Sequence, residues 1–317
     1  MVTPPGTLEL RLKFPLQLCN MRIFIFATCW NEMRLLPAFI RYYEPFVERF
    51  YILDDGSTDG SVEFLEKQPK VVLLHSNRGE IPYIENSRDF WNNRWKELGE
   101  KVDWILACNI DEFLYHPDLP IYLKRCREEG VTLLPTDGYE MVSMEFPSTQ
   151  GRLCDEVRFG SSCRRLSGGM SSMYDKIMMF DPQAICDINF SVGRHSAQPV
   201  GRLVWPRKVE LKMLHYKYLG LDYVVTRYAE LRSGLPMQEG AVRLGSQYLW
   251  DRKAIRHNHQ LVTLMAGVVV PVSRWQDFKL FLSFLPWKGL ALLQLSVDFF
   301  LLRLAKALNM NNRGQTA

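Results

Sequence analysis

Three short polar clusters stand directly after apolar runs: Trp30-Asn31-Glu32, Asp54-Asp55-Gly56-Ser57-Thr58-Asp59 and Asn109-Ile110-Asp111-Glu112. Carboxylates and amides dominate all three. A carboxylate repels a diphosphate, but it can bind one through a divalent cation held between them. It also accepts hydrogen bonds from ribose hydroxyls and base N–H groups. A capping role at a helix start explains one such cluster, and Asp59 alone suits that role. Three acidic ends exceed what capping needs. Neither GxGxxG nor GxxxxGK[ST] occurs, so phosphate is not cradled mainly by a glycine loop. The clusters point to a metal-assisted site for a nucleoside diphosphate compound.

The elements that must position these clusters are legible as an alternation. Apolar runs of strand length occur at 23–28, 50–53, 71–74, 104–108 and 131–134. Longer amphipathic stretches lie between them, at 34–46, 60–66, 85–97 and 119–129. Such alternation predicts a mostly parallel sheet with helices on both faces, and near-continuous apolar strands fit a sheet buried on both sides. Ligands of open parallel sheets bind outside the carboxyl ends of the strands, which puts all three clusters on one rim. Asp118 is a candidate N-cap and Gly130 a candidate stop for the helix over 119–129. The stretch 138–215 is rich in Ser, Gly and Met and reads as loops with short antiparallel strands. Helices return over 222–232, closed by Gly234-Leu235-Pro236, and around 244–252.

The strings Cys29-Trp30-Asn31-Glu32, Leu36-Pro37 and Asp54-Asp55-Gly56-Ser57-Thr58-Asp59-Gly60-Ser61 resemble the opening of family-2-type glycosyltransferases. Asn109-Ile110-Asp111-Glu112-Phe113-Leu114 resembles the D-x-D-E-F element of bacterial relatives with a GT-A fold. The likeness runs over about 21–235 by motif order. It implies an α/β, GT-A-like fold, a nucleotide-diphosphate sugar donor, a glycan or glycolipid acceptor and a divalent cation, Mn²⁺ or Mg²⁺. It also implies inversion at the anomeric centre and a role in cell-surface polysaccharide or glycolipid synthesis. The resemblance places Asn31, Glu32, Asp54 and Asp55 near the base and ribose of the donor. Asp111 falls on the second aspartate of the metal motif. Asn109 replaces the first; its amide oxygen can ligate a hard cation but brings no charge. Val192-Gly193-Arg194-His195 and Leu214-His215-Tyr216-Lys217-Tyr218 resemble the paired histidine elements of these relatives, which makes His195 and His215 candidate metal or diphosphate ligands. Imidazole suits a borderline metal such as Mn²⁺.

Transfer also needs a base to take the proton of the acceptor hydroxyl. The carboxylates between the metal motif and His195 are Asp137, Glu140, Glu145 and Asp175, with Glu140 expected just after the fifth strand, and nothing in the sequence chooses among them. Arg88 and Lys176 are candidate phosphate-binding cations.

Composition bounds the rest. At 317 residues the chain holds one or two domains. With 47% hydrophobic and 23% charged residues it is neither disordered, collagenous nor coiled coil. A net charge of +4 is too mild for nucleic acid as the main partner. The cysteines are odd in number (7) and form no CxxC pair, which argues against a disulfide framework or zinc ribbon and for buried thiols in the reducing cytoplasm. Residues 1–20 lack the basic start and apolar core of a signal peptide. They read as a loosely ordered extension, with Met21 as an alternative start. The catalytic domain is expected over 21–270 and a helical tail over 271–317.

In the tail, 275–284 and 287–308 are apolar helical runs, the second interrupted by Gln294, Asp298 and Arg303. A spanning helix needs roughly 20 mostly uncharged apolar residues, so the tail reads as an interfacial helix at the inner face of the membrane, or as a helix packed on the domain or on a second copy. Two other functions compete. A nucleotidyltransferase would want a Gly- and Arg-containing loop after the first strand, and none is present. A non-catalytic relative organising a polysaccharide-assembly complex would fit Asn109 and the apolar tail.

Overall fold

The computed structural model describes residues 21–76, 83–162, 174–233 and 246–313. The first half alternates as expected: β1 (Ile23–Cys29), α1 (Leu36–Tyr43), β2 (Arg49–Asp54), α2 (Ser61–Leu65), β3 (Val71–His75), α3 (Tyr83–Asn93), β4 (Trp104–Asn109). Next come β5 (Glu112–Tyr115), α4 (Leu119–Glu128), β6 (Leu133–Ser143), α5 (Leu153–Glu156), β7 (Phe159–Ser161), β8 (Lys176–Phe180), β9 (Ile185–Asp187) and β10 (Val200–Gly201). The chain continues through β11 (Leu211–Leu219), α6 (Leu221–Ser233), α7 (Arg252–Met265), β12 (Gly267–Val268) and α8 (Arg274–Arg313). The fold is α/β, a largely parallel sheet flanked by helices with a C-terminal helix.

β1 is buried at every position, because β2 and β4 pair with it on both sides in parallel register. Its side chains alternate between two cores, as the two-residue period of a strand requires. Ile23, Ile25 and Ala27 pack with α1, while Phe24 and Phe26 pack with Phe90 and Trp91 of α3. A buried side chain of this size contributes about 1.5–3 kcal/mol of transfer free energy. These two layers hold the carboxyl ends of β1, β2 and β4 level, and the three polar clusters stand there.

α4 ends where its sequence foretold. Gly130 has φ +70°, its N–H bonds the carbonyl of Arg127, and the N–H of Val131 bonds that of Cys126, a left-handed helix stop that glycine adopts without strain. Asp118 does occupy the N-cap position of α4, but its side chain makes no capping bond.

The second half departs from the sequence-based outline in three places. The fifth apolar run extends through an eleven-residue strand, β6, so Asp137, Gly138, Tyr139 and Glu140 lie within a strand instead of after one. β11 was not anticipated. It runs parallel to β6 and antiparallel to β5, with His215 paired to Glu140 on one side and to Glu112 on the other. The helix expected around 244–252 is a single 3₁₀ turn at Ser246–Leu249, and a full helix, α7, begins afterwards with the Asp251 side chain capping the N–H of Ala254. The two apolar tail runs form one helix that continues through Pro286. By length and composition alone, Arg274–Asp298 is apolar enough to cross a membrane. The short antiparallel pairings expected between 138 and 215 are present as β6–β7, β6–β8 and β9–β10. Cys29, Cys108, Cys126, Cys154 and Cys186 are free thiols. The extension 1–20 and the Gly234-Leu235-Pro236 stop lie outside the described residues.

Candidate active site

At the end of β2, Asp54 folds the adjoining loop. Its Oδ2 accepts the N–H groups of Gly56 (2.9 Å) and Ser57 (3.0 Å). Its Oδ1 is buried and has no hydrogen-bond partner among the described residues. A buried carboxylate oxygen left unpaired is costly, so this oxygen is chemically ready for a donor brought by a ligand. Asn31 of the β1 loop accepts the Thr58 N–H at 2.7 Å and lies at φ +53°. Asp59 stands one residue before Gly60, the N-cap of α2, and accepts from the Ser61 N–H and hydroxyl and from the Met33 N–H. Asp55 is buried and accepts a hydrogen bond from the Ser76 hydroxyl. Glu32 is buried against Arg227 of α6, whose guanidinium also bonds the carbonyls of Trp30 and Asn31. Arg227 thus pins the β1 loop to α6.

The third cluster splits between two tasks. Glu112 is buried between two cations: Lys176 bonds its Oε1 at 2.6 Å and Arg194 bonds its Oε2. Burial raises the Glu112 carboxyl, but Arg194 and Lys176 outweigh it and hold it well below the usual carboxylate range. Asn109 joins this group. Its Nδ2 donates to Glu112 Oε1 (3.2 Å) and its Oδ1 accepts the Thr28 hydroxyl (2.8 Å). Lys176, a candidate phosphate-binding cation, is therefore occupied with Glu112.

Asp111 takes the other task. Its Oδ2 lies 3.1 Å from Nε2 of His215, whose Nδ1 lies 2.8 Å from Oε1 of Glu140. Burial lowers the imidazole pKa, but the Glu140 and Asp111 carboxylates raise it to about 10. Burial likewise raises the Asp111 carboxyl, and His215 draws it below its ordinary value. Glu140 is fully buried beneath the ring. The alternation of β6 turns Asp137 to the opposite face of the strand from Glu140. Asp175 Oδ1 accepts the N–H of Gly138 at 2.8 Å. That approach needs glycine, since a Cβ at 138 would stand 2.2 Å from the Tyr174 carbonyl oxygen. Arg88 is exposed on α3, and His195 is exposed after a short 3₁₀ turn.

The structure therefore brings Asp111, Glu140 and His215 together and leaves His195 on the surface. The motif that held His195 delivers its neighbour instead. Arg194 is buried, bonds the Ala107 carbonyl and Glu112, and lies 4.6 Å over the ring of Trp91. Arg194 and Arg227 escaped sequence reasoning. The only signal was that buried acids require cations, and no spacing rule says which of 39 Lys and Arg residues supply them.

One carboxylate oxygen each of Asp111 and Glu112 and one His215 nitrogen lie within 4.8 Å of one another. Glu112 is spent on Lys176 and Arg194, which leaves Asp111 and His215 as the ligand pair. Their chemistry fits a divalent cation: a hard carboxylate oxygen, and an imidazole whose other nitrogen is oriented by a carboxylate, the usual support of a metal-binding histidine. Mn²⁺ or Mg²⁺ would retain open positions for phosphate oxygens and water.

No protein-family model matches the sequence, and no curated protein matches it. Among solved structures, the chain is similar to Staphylococcus aureus TarS at 12% identity and a TM-score of 0.38, over 72% of this chain and 42% of that one. A structure of TarS residues 1–349 gives 13% and 0.28, over 41% and 38%. Glucosyl-3-phosphoglycerate synthase from Mycobacterium tuberculosis, solved with Mn²⁺, uridine diphosphate and glucosyl-3-phosphoglycerate, gives 15% and 0.34, over 56% and 63%. The chain spans less than two thirds of the length of each.

Proposed function

We propose that the chain is a glycosyltransferase that moves a sugar from a nucleotide-diphosphate sugar to an acceptor hydroxyl, with inversion and with a divalent cation. The observation that carries this reading is the convergence of Asp111, in the turn between β4 and β5, and His215 of β11 on the rim that also presents Oδ1 of Asp54, unpartnered among the described residues. Asp54, with Asn31 and Glu32 shaping the loop, would hold the base and ribose. Asp111 and His215 would hold the cation, whose charge offsets that of the leaving diphosphate. In the transfer, the acceptor oxygen forms the new bond to the anomeric carbon as the bond to the diphosphate breaks. The hydroxyl proton passes to a carboxylate base. Glu140 is committed to His215 and Asp137 lies on the opposite face of β6, which leaves Asp175 and Glu145 as the base candidates.

Donor hydrolysis tests this. Wild type is expected to release the nucleoside diphosphate from a nucleotide sugar only with Mn²⁺ or Mg²⁺, and Asp111→Ala to lose this activity while remaining folded. Undiminished turnover in a chelator would sink the metal, and failure of every nucleotide sugar to bind would sink the transferase.

We also propose that α8 rests on the cytoplasmic face of a membrane, beside a lipid-linked glycan acceptor. The support is its two-sided surface. Phe284 stacks on Phe159 of β7 with ring centroids 4.0 Å apart, and Ala291 is buried on the same stripe about two turns further on. The side turned away carries exposed Phe278, Leu282, Leu285 and Leu293. A helix packed on a protein domain along one stripe and apolar along the other suits a layer between domain and lipid. Flotation with acidic liposomes should carry the full chain up, and truncation before Trp275 should release it. A full chain that ignores liposomes and forms dimers would instead assign this face to a second copy.

A further inference from the structure

The cations around the site are nearly all spent: Lys176 and Arg194 on Glu112, Arg227 on Glu32. Lys217 is different. It lies on β11 two residues beyond His215, inside a bulge where β11 runs from His215 to Tyr218 while β6 runs only from Glu140 to Val142. Bulges of this kind re-aim side chains and are frequent beside active sites. Here the bulge sends the Lys217 ammonium between two aromatic faces, 5.2 Å from the ring centroid of Tyr228 on α6 and 5.0 Å from that of Tyr248. Among the described residues it has neither an ion-pair partner nor a hydrogen-bond acceptor. Tyrosine faces attract a cation, but they leave all three N–H donors of an ammonium unused. Lys217 is half-buried. It stands two residues along β11 from His215, the partner of Asp111.

Its side of that pair matters. Asn31 and Asp54 stand at the ends of β1 and β2, whereas Lys217 stands on β11, which pairs with β6, across β4 and β8 from β1. We propose that Lys217, Tyr228 and Tyr248 form an anion subsite that takes a phosphate or carboxylate group of the acceptor. The acceptor would thus be an acidic hydroxyl compound, such as a sugar or polyol phosphate or a hydroxy acid. This rests on the glycosyltransferase reading for the word acceptor, but not for the anion subsite itself.

The test is calorimetric titration of inorganic phosphate into wild type, Lys217→Arg and Lys217→Gln. Each protein is first saturated with Mn²⁺ and with uridine or guanosine diphosphate, whichever binds. Loss of a charge-assisted hydrogen bond is expected to weaken phosphate binding about tenfold or more in Lys217→Gln. Lys217→Arg should stay near wild type, and diphosphate affinity should be equal in all three. Equal phosphate affinity in wild type and Lys217→Gln, or no phosphate binding by wild type, overturns the subsite. A parallel loss of nucleoside diphosphate affinity in Lys217→Gln overturns the acceptor assignment and gives the ammonium to the donor. If wild type binds no nucleoside diphosphate, the transferase reading fails, and titration of the protein without nucleotide still decides the anion subsite.

Discussion

Nδ1 of His215 lies 2.8 Å from Oε1 of Glu140, across the parallel ladder between β11 and β6. The buried carboxylate on that side holds a proton on Nδ1 and turns Nε2 toward Asp111, which holds a second proton there while the site is metal-free. Glu140 is thereby a positioning residue. Its second oxygen, Oε2, is buried without a partner among the described residues, so the carboxylate depends on the ring it orients. The arrangement also couples the site to pH.

With no metal bound, the His215 pKa of about 10 in the folded protein lies above its ordinary 6.5. A folded-state pKa raised above the unfolded one gives stability that is fully present below pH 6.5 and is lost as pH rises toward 10. Urea denaturation of chelated wild type and His215→Gln should therefore show a wild-type advantage at pH 6 that shrinks above pH 7. Over the same window Mn²⁺ should bind more tightly, because ligation displaces the imidazole proton. An advantage that grows with pH would mean that the ring is neutral in the metal-free fold.

Asp54 has one oxygen in its loop and one without a partner among the described residues. Asp54→Ala should lower nucleoside diphosphate affinity by the worth of a hydrogen bond to a charged group, about 1.5–3 kcal/mol. It should also loosen the turn at Gly56 and Ser57. Asp54→Asn keeps an acceptor for the turn and separates the two effects. A folded Asp54→Ala protein with wild-type affinity removes Asp54 from the donor pocket.

Asn109 looks, by its motif, like a weakened metal ligand that an aspartate would repair. Its contacts predict otherwise. Asn109→Asp replaces a donor 3.2 Å from Glu112 with a second carboxylate oxygen. Metal-free stability should fall by roughly 1–3 kcal/mol, the cost of a buried polar group facing the wrong partner. Chemical denaturation measures this. Tighter Mn²⁺ binding with no loss of stability would show that the side chain serves the cation.

Arg194 is buried and charge-paired with Glu112. Removing one member of a buried ion pair typically costs about 3–5 kcal/mol, because the other charge is stranded. Arg194→Ala should lose that much in urea denaturation, and His195→Ala, on the exposed neighbour, should lose almost nothing. A mild Arg194→Ala would mean that Lys176 alone can neutralise Glu112.

The first half of this protein was readable because its information is local. Apolar runs such as Ile23–Cys29 announce a strand buried on both faces, and the residues next in the chain must stand at its carboxyl end. That rule puts Asn31, Asp54 and Asp111 at or just beyond strand ends. Gly130 was equally local, since a helix stop at positive φ is a property of one residue. The tertiary structure alone decided pairing. β11 has no register until β5 and β6 flank it, and that register puts His215 between Glu112 and Glu140. The same holds for charge: Glu112 and Asp111 are adjacent in sequence, yet Lys176 and Arg194 neutralise one and leave the other open to a ligand. Those cations come from segments more than sixty residues away, and no periodicity in a chain records which distant charge will close a buried pair.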